Sequence, residues 1–215
     1  MHEIATGPLL WISFAVCIGG SLFRLAEMFR LAGKEKVIYP FMTLRHSLRS
    51  IAHWIVPFAS RNMRLRPAMT IATFSFHLSL LTVPVFLVAH NVLLSDAWGV
   101  SLWTIPEIAA DVMSLVAIAG CALFVLRRAL VPEVRYVTTT GDYALLLIIA
   151  LPFVTGFIAH HQFFAYKTML TLHILCGEVM LIAIPFTRLS HMFYFFFTRA
   201  WMGCEFGAVR HARDW

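Results

Sequence analysis

Leu172-His173-Ile174-Leu175-Cys176-Gly177-Glu178, continued by Pro185-Phe186-Thr187-Arg188-Leu189-Ser190-His191, lies in an apolar segment of about residues 168–198. Its reading decides the fold. His173 and His191 are 18 residues apart, and on one continuous helix 18 steps of about 100° close five turns, so both imidazoles leave one face. Their axial separation is roughly 27 Å, against a bilayer core of roughly 30 Å. The spacing predicts a membrane-crossing helix with one histidine near each side. An imidazole without a partner is costly in lipid, so each is a candidate functional group. Haem iron takes histidine as an axial ligand, and two histidines on one face suggest two haems stacked across the membrane.

The composition agrees. The chain has 215 residues, 60% of them hydrophobic, and a mean hydropathy of +0.79, well above the usual range of soluble domains. This is the composition of an integral membrane protein of one domain, 1–215, and it excludes a nucleic-acid binder. Cys17, Cys121, Cys176 and Cys204 stand singly. With no Cys-x-x-Cys, covalent c-type haem, iron–sulfur runs and zinc knuckles are excluded. The N-terminal apolar run lacks a basic leader and a cleavage site, and reads as a retained first helix.

The expected fold is an all-α integral membrane protein, a five-helix transmembrane bundle with spans near 6–29, 68–94, 106–126, 142–160 and 168–198. Between the first two spans, Leu44, Leu48, Ile51, Ile55 and Phe58 recur at helical spacing among Arg45, Arg49, Arg61 and Arg64. That pattern predicts an amphipathic helix, about 41–58, lying on the membrane surface. Nearly all Lys and Arg fall in the connections after spans one and three and in the tail, whereas Lys167 alone marks the other side. The positive-inside rule then puts the N-terminus outside and the C-terminus in the cytoplasm, as a multi-pass protein of a bacterial or archaeal cytoplasmic membrane.

Four histidines lie deep in spans: His77 and His90 on the second, His173 and His191 on the fifth. The two spans run in opposite directions, so depth pairs His90 with His173 on the outer side and His77 with His191 on the cytoplasmic side. Two bis-histidine sites result, the haem iron being the metal held. The 13 residues between His77 and His90 rise roughly 20 Å and place the two on different faces of an ideal helix; Pro84 lies between them and can alter the winding. Arg188 is a candidate contact for a haem propionate. Gly177, one turn after His173, leaves clearance for a flat macrocycle. Glu178, His160 and His161 are candidate quinone-site residues. Each also has a plainer reading: a snorkelling arginine, a span glycine, a helix–helix hydrogen bond and two interfacial histidines.

These residues resemble the membrane gamma subunit of respiratory nitrate reductase and its relatives. The resemblance runs through Gly20-Ser21 with Arg24, Leu126-Arg127-Arg128 to Val134-Arg135, Thr138-Thr139-Thr140-Gly141-Asp142, Leu172-His173 and Pro185 to His191, and covers most of the chain outside 35–65. It implies five transmembrane helices and two b haems between the second and fifth. It also implies electrons taken from a quinol, menaquinone in such organisms, and passed to an iron–sulfur partner. Carried over, His90 and His173 hold the outer haem, and His77 and His191 the inner. Three departures stand out: the second-span histidines are three residues further apart than in the nitrate reductase subunit, the loop at Pro106-Glu107 lacks its lysine, and the long basic connection 30–67 with its surface helix is unlike it. These features are more similar to the branch of anaerobes, sulfate reducers among them, that joins heterodisulfide-reductase-like iron–sulfur proteins and periplasmic multihaem cytochromes c.

The expected function is a dihaem cytochrome b subunit of an anaerobic respiratory complex, linking a quinone pool to a cytoplasmic iron–sulfur subunit and not catalytic alone. The alternative is a quinone-independent conduit from a periplasmic multihaem cytochrome c to that subunit. A histidine-relay proton or metal transporter ranks behind, since the spans offer few carboxylates besides Glu178. A bare scaffold ranks third, because it would not require four depth-matched histidines.

Overall fold

The structure is a computed structural model that describes residues 2–212. Among the described residues every regular element is helical. Five helices are long and apolar enough to cross a membrane: His2–Ala32, Pro67–Phe86, Glu107–Leu130, Thr140–His160 and Tyr166–Phe186. We name the elements α1 (Leu10–Ala32), α2 (Leu44–Ile55), α3 (Pro67–Phe86), α4 (Val88–Trp98), α5 (Glu107–Leu130), α6 (Thr140–His160), α7 (Tyr166–Phe186) and α8 (His191–Gly203). The chain divides into two compact units, residues 1–6 with 72–180 and residues 7–71 with 181–215.

In the first unit, α5 and α6 form the main helix pair. Val83, Ile105, Ala110, Ala117 and Phe153 make its buried apolar cluster, with Leu80, Phe86, Leu87, Met113 and Ile118 packed around it. Small residues on α5 let neighbours come close: a Cβ at Gly120 would lie 2.8 Å from Phe76 Cδ2. The Thr139–Asp142 pair forms a capping box at the start of α6, with the Thr139 N–H donating to Asp142 Oδ2 at 2.8 Å. That gives the Thr-Thr-Thr-Gly-Asp run a local physical role, satisfying the first free donors of a helix.

The second expected span, 68–94, is not continuous. Leu87 is extended (φ −68°, ψ 136°) and separates α3 from α4. Such a break frees backbone carbonyls, which in an apolar surrounding must find other donors. They do: Pro84 O accepts from His90 Nδ1 at 2.8 Å, Val85 O from Asn91 Nδ2 at 3.0 Å, and Phe86 O from Ile105 N at 3.0 Å. Asn91 Nδ2 also donates to Leu87 O, and its Oδ1 accepts from Leu102 N at 2.9 Å. Every polar atom of this buried amide is used. α4 closes on Gly99 in the left-handed region (φ 68°).

In the second unit, α2 packs on α8. The contact is made by small and polar groups. Ser50 is fully buried, a Cβ on Gly203 would meet His46 O and Ser50 Cβ at 2.6 Å each, and the Arg199 guanidinium lies 4.3 Å over the Trp54 ring while donating to Ser50 Oγ. Leu44, Leu48 and Ile55 of α2 are left exposed. Thr43 caps α2, its Oγ1 accepting from His46 N. The helix is shorter than the expected 41–58.

The fifth expected span, 168–198, is also interrupted. α7 ends at Phe186, Thr187 is extended (φ −125°, ψ −176°), and a 3-10 turn at Arg188–Ser190 precedes α8. Thr187 caps that turn, its Oγ1 accepting from Leu189 N. His173 and His191 are therefore not on one continuous helix, and the five-turn register that put them on one face does not hold.

Candidate functional site

A histidine can offer one ring nitrogen to a metal only if the other is held in the right protonation state. A backbone carbonyl does this, because it can only accept a hydrogen bond: the nitrogen facing it must carry the proton, and the other keeps its lone pair. All four histidines singled out by the sequence have this arrangement. Nδ1 donates to Thr73 O from His77 at 2.8 Å, to Pro84 O from His90 at 2.8 Å, to Pro152 O from His173 at 2.9 Å, and to Arg188 O from His191 at 2.7 Å. For His90 and His173 this leaves Nε2 as the nitrogen that can bind. Two histidines outside this set differ: His2 and His46 place Nδ1 against the threonine hydroxyls of Thr171 and Thr43, which fix no tautomer.

The structure brings His90 and His173 together. Their ring centroids are 5.9 Å apart and their planes differ by 12°. A metal with two axial imidazole nitrogens at about 2.0 Å would hold the centroids roughly 6 Å apart, so the pair has the spacing that a bis-histidine iron needs. His173 reaches its position because Gly156 has no side chain. A Cβ there would lie 2.9 Å from both Cε1 and Nδ1 of the ring. One turn after His173, a Cβ on Gly177 would meet nothing within 4 Å. The near-parallel rings, the carbonyl-held Nδ1 atoms and the open space beside Gly177 fit a flat macrocycle at this pair.

His77 belongs to the same unit. It is half-buried and meets the edge of Phe76, 5.2 Å between centroids, and Phe76 in turn packs edge-on against Phe124. His191 belongs to the second unit, as the exposed first residue of α8. Arg188 is exposed in the turn before it, and its carbonyl holds the His191 ring.

The three quinone-site candidates do not gather into one place. Glu178 is 2% exposed, and neither carboxylate oxygen has a hydrogen bond among the described residues. His160 and His161 are exposed at the end of α6. α6 and α7 are joined by the short turn 161–165 and run in opposite directions. Counting from the level of His173 and Gly156, Glu178 lies about 7.5 Å one way and His160 about 6 Å the other.

Sequence reasoning missed Gly156, Asn91 and the Pro152 carbonyl. Asn91 left a signal, since an amide inside an apolar span must be hydrogen-bonded. Gly156 left none, because its closeness to His173 arises only when α7 folds back.

Helices and histidines together define a class: an all-helical protein whose described residues include five helices fit to cross a membrane, with two near-parallel histidine rings within its larger unit. The chain is 39% identical over 215 residues to a protein of Nitratidesulfovibrio vulgaris (strain Hildenborough), spanning 98% of this chain and 95% of that one. It belongs to that protein's family. No family model matches the chain.

Proposed function

We propose that this protein is a dihaem cytochrome b subunit of an anaerobic respiratory complex, carrying electrons across a cytoplasmic membrane between a quinone pool and an iron–sulfur partner. One observation carries the reading. His77, His90, His173 and His191 all donate Nδ1 to a backbone carbonyl, and the near-parallel rings of His90 and His173 lie at a centroid distance that suits a bis-histidine iron.

His90 and His173 would hold the outer haem. His77 and His191 would hold the inner one, a pairing that rests on their depths in the sequence. The haem supplies one-electron chemistry when bound. At the outer site it would be bound through Nε2 of His90 and His173, each oriented by the carbonyl at its Nδ1, with room beside Gly177. Arg188 would meet a propionate. Glu178, buried and without a hydrogen-bond partner among the described residues, would take up or release a proton at its carboxylate when a quinol such as menaquinol reacts beside it. The orientation, N-terminus outside, follows from the charge pattern, and the exposed Leu44, Leu48 and Ile55 suit α2 to the headgroup region of the membrane.

One observation favours the quinone-independent version, with a periplasmic multihaem cytochrome c as the donor. The dispersal of Glu178 from His160 and His161 leaves no compact polar quinone pocket among the candidates.

The test is the redox-titrated visible spectrum of the purified protein beside His90→Ala and His191→Ala. The expected result is two b-type components, with each variant losing a different one. A protein without b-type absorbance overturns the proposal. Reduction by a menaquinol analogue, or its failure, decides between the two donors.

A further inference from the structure

The start of α5 and the end of α6 bring three ligating side chains to one rim of the first unit. Asp111 Oδ2 lies 3.2 Å from His161 Nε2. The rings of His160 and His161 are 5.0 Å apart between centroids and nearly perpendicular, at 79°. One ligand atom from each of the three lies within 4.8 Å of the others. The backbone beneath them is held: α5 and α6 pack closely, with Ala110, Ala117 and Phe153 buried between them. The His161 ring is itself seated between Phe157, at 4.4 Å, and Phe163, at 5.5 Å with planes 17° apart.

An exposed histidine–carboxylate pair alone contributes about 0–1 kcal/mol, and only while the histidine is protonated. It gives His160 no role. Two imidazoles and one carboxylate are instead the donor set of a borderline cation, zinc, nickel or copper, and not of magnesium or calcium. Three protein ligands leave a fourth position for water. The exposure of the histidines gives an aqueous ion access.

We propose that Asp111, His160 and His161 form a binding site for a divalent transition-metal ion of the zinc class, with one position open. The site stands apart from the four carbonyl-anchored histidines and does not rest on the haem reading. It assigns His160 and His161 to metal binding, not to a quinone.

The test uses the purified full-length chain in detergent, stripped with chelator and dialysed to equilibrium against Zn²⁺ with magnesium in excess. One zinc per chain is expected, with affinity falling at least about tenfold in each of His160→Ala, His161→Ala and Asp111→Asn. His46→Ala and His53→Ala should bind as wild type. X-ray absorption at the zinc edge of the unmutated protein gives a readout independent of variant folding, expected to show two imidazoles with Zn–N near about 2.0 Å. Binding that persists in all three site variants, or a zinc shell without imidazole, means an adventitious ion only and overturns the proposal. So does the absence of stoichiometric zinc.

Discussion

Replacing Gly156 with alanine tests the seat of His173 directly. The added Cβ would stand 2.9 Å from Cε1 and Nδ1 of the ring, where carbon contacts normally settle at about 3.5–4.0 Å. The ring must retreat by roughly 0.6–1 Å. Its Nδ1 already sits 2.9 Å from Pro152 O, so a shift of that size stretches the hydrogen bond to its limit, a loss of about 0.5–1.5 kcal/mol. Overpacking adds about 1–3 kcal/mol. More telling than the sum is the tolerance of a metal bond, which accepts errors of only about 0.2 Å. Ligation by His90 and His173 should therefore fail while the other site survives. The assay is the redox-titrated spectrum, with Gly141→Ala in the same helix as the control, since the nearest atom there is 3.6 Å away. Loss of about half the b-type absorbance, drawn from a single component, is expected. A Gly156→Ala protein that keeps both components at wild-type midpoints would refute the argument, because the ring would then not be an iron ligand seated as described.

Gly177→Ala reads the macrocycle from the opposite direction: nothing lies within 4 Å of the new Cβ, so the polypeptide alone should gain about 0.5–1 kcal/mol of helix stability. Pigment loss or a shifted midpoint in that variant is expected, and an unchanged spectrum would remove the macrocycle from this face. Asn91→Leu strips donors from Val85 O and Leu87 O and an acceptor from Leu102 N, and should lower stability in detergent by about 1–3 kcal/mol, read as a drop in the thermal midpoint. Gly203→Ala sets a Cβ 2.6 Å from His46 O and should loosen α2 from α8, detected as faster proteolysis of residues 33–60 without change in the spectrum. Glu178→Gln keeps the shape and removes the acid; a fall of at least about tenfold in menaquinol-driven reduction with both haems retained is expected if this carboxylate handles the proton, and an unchanged rate assigns it a structural role.

The four histidines could be singled out from the sequence because residue type is a property of the sequence, and an imidazole in an apolar segment stands out without any fold in hand. A shared face for His173 and His191 requires an unbroken helix between them, and Thr187 interrupts it. Neither that break nor the one at Leu87 could be read from periodicity. A break in an apolar segment is stable only if its freed carbonyls find donors, and at Leu87 those come from Asn91, His90 and Ile105. The last lies nearly twenty residues away in sequence. The break that spoils the ideal register is also what gives His90 its acceptor, because Pro84 O is left open to Nδ1. Three of the four Nδ1 bonds are local, spanning four, six and three residues, and only His173 reaches across, 21 residues back to Pro152. The tautomers of His77, His90 and His191 are thus fixed by their own helices and turns, whereas that of His173 depends on α7 folding against α6. A destabilised fold should release His173 first. On the proposed reading, a haem held there should be the more labile of the two under mild heating, which a temperature series of difference spectra would show as one component fading before the other.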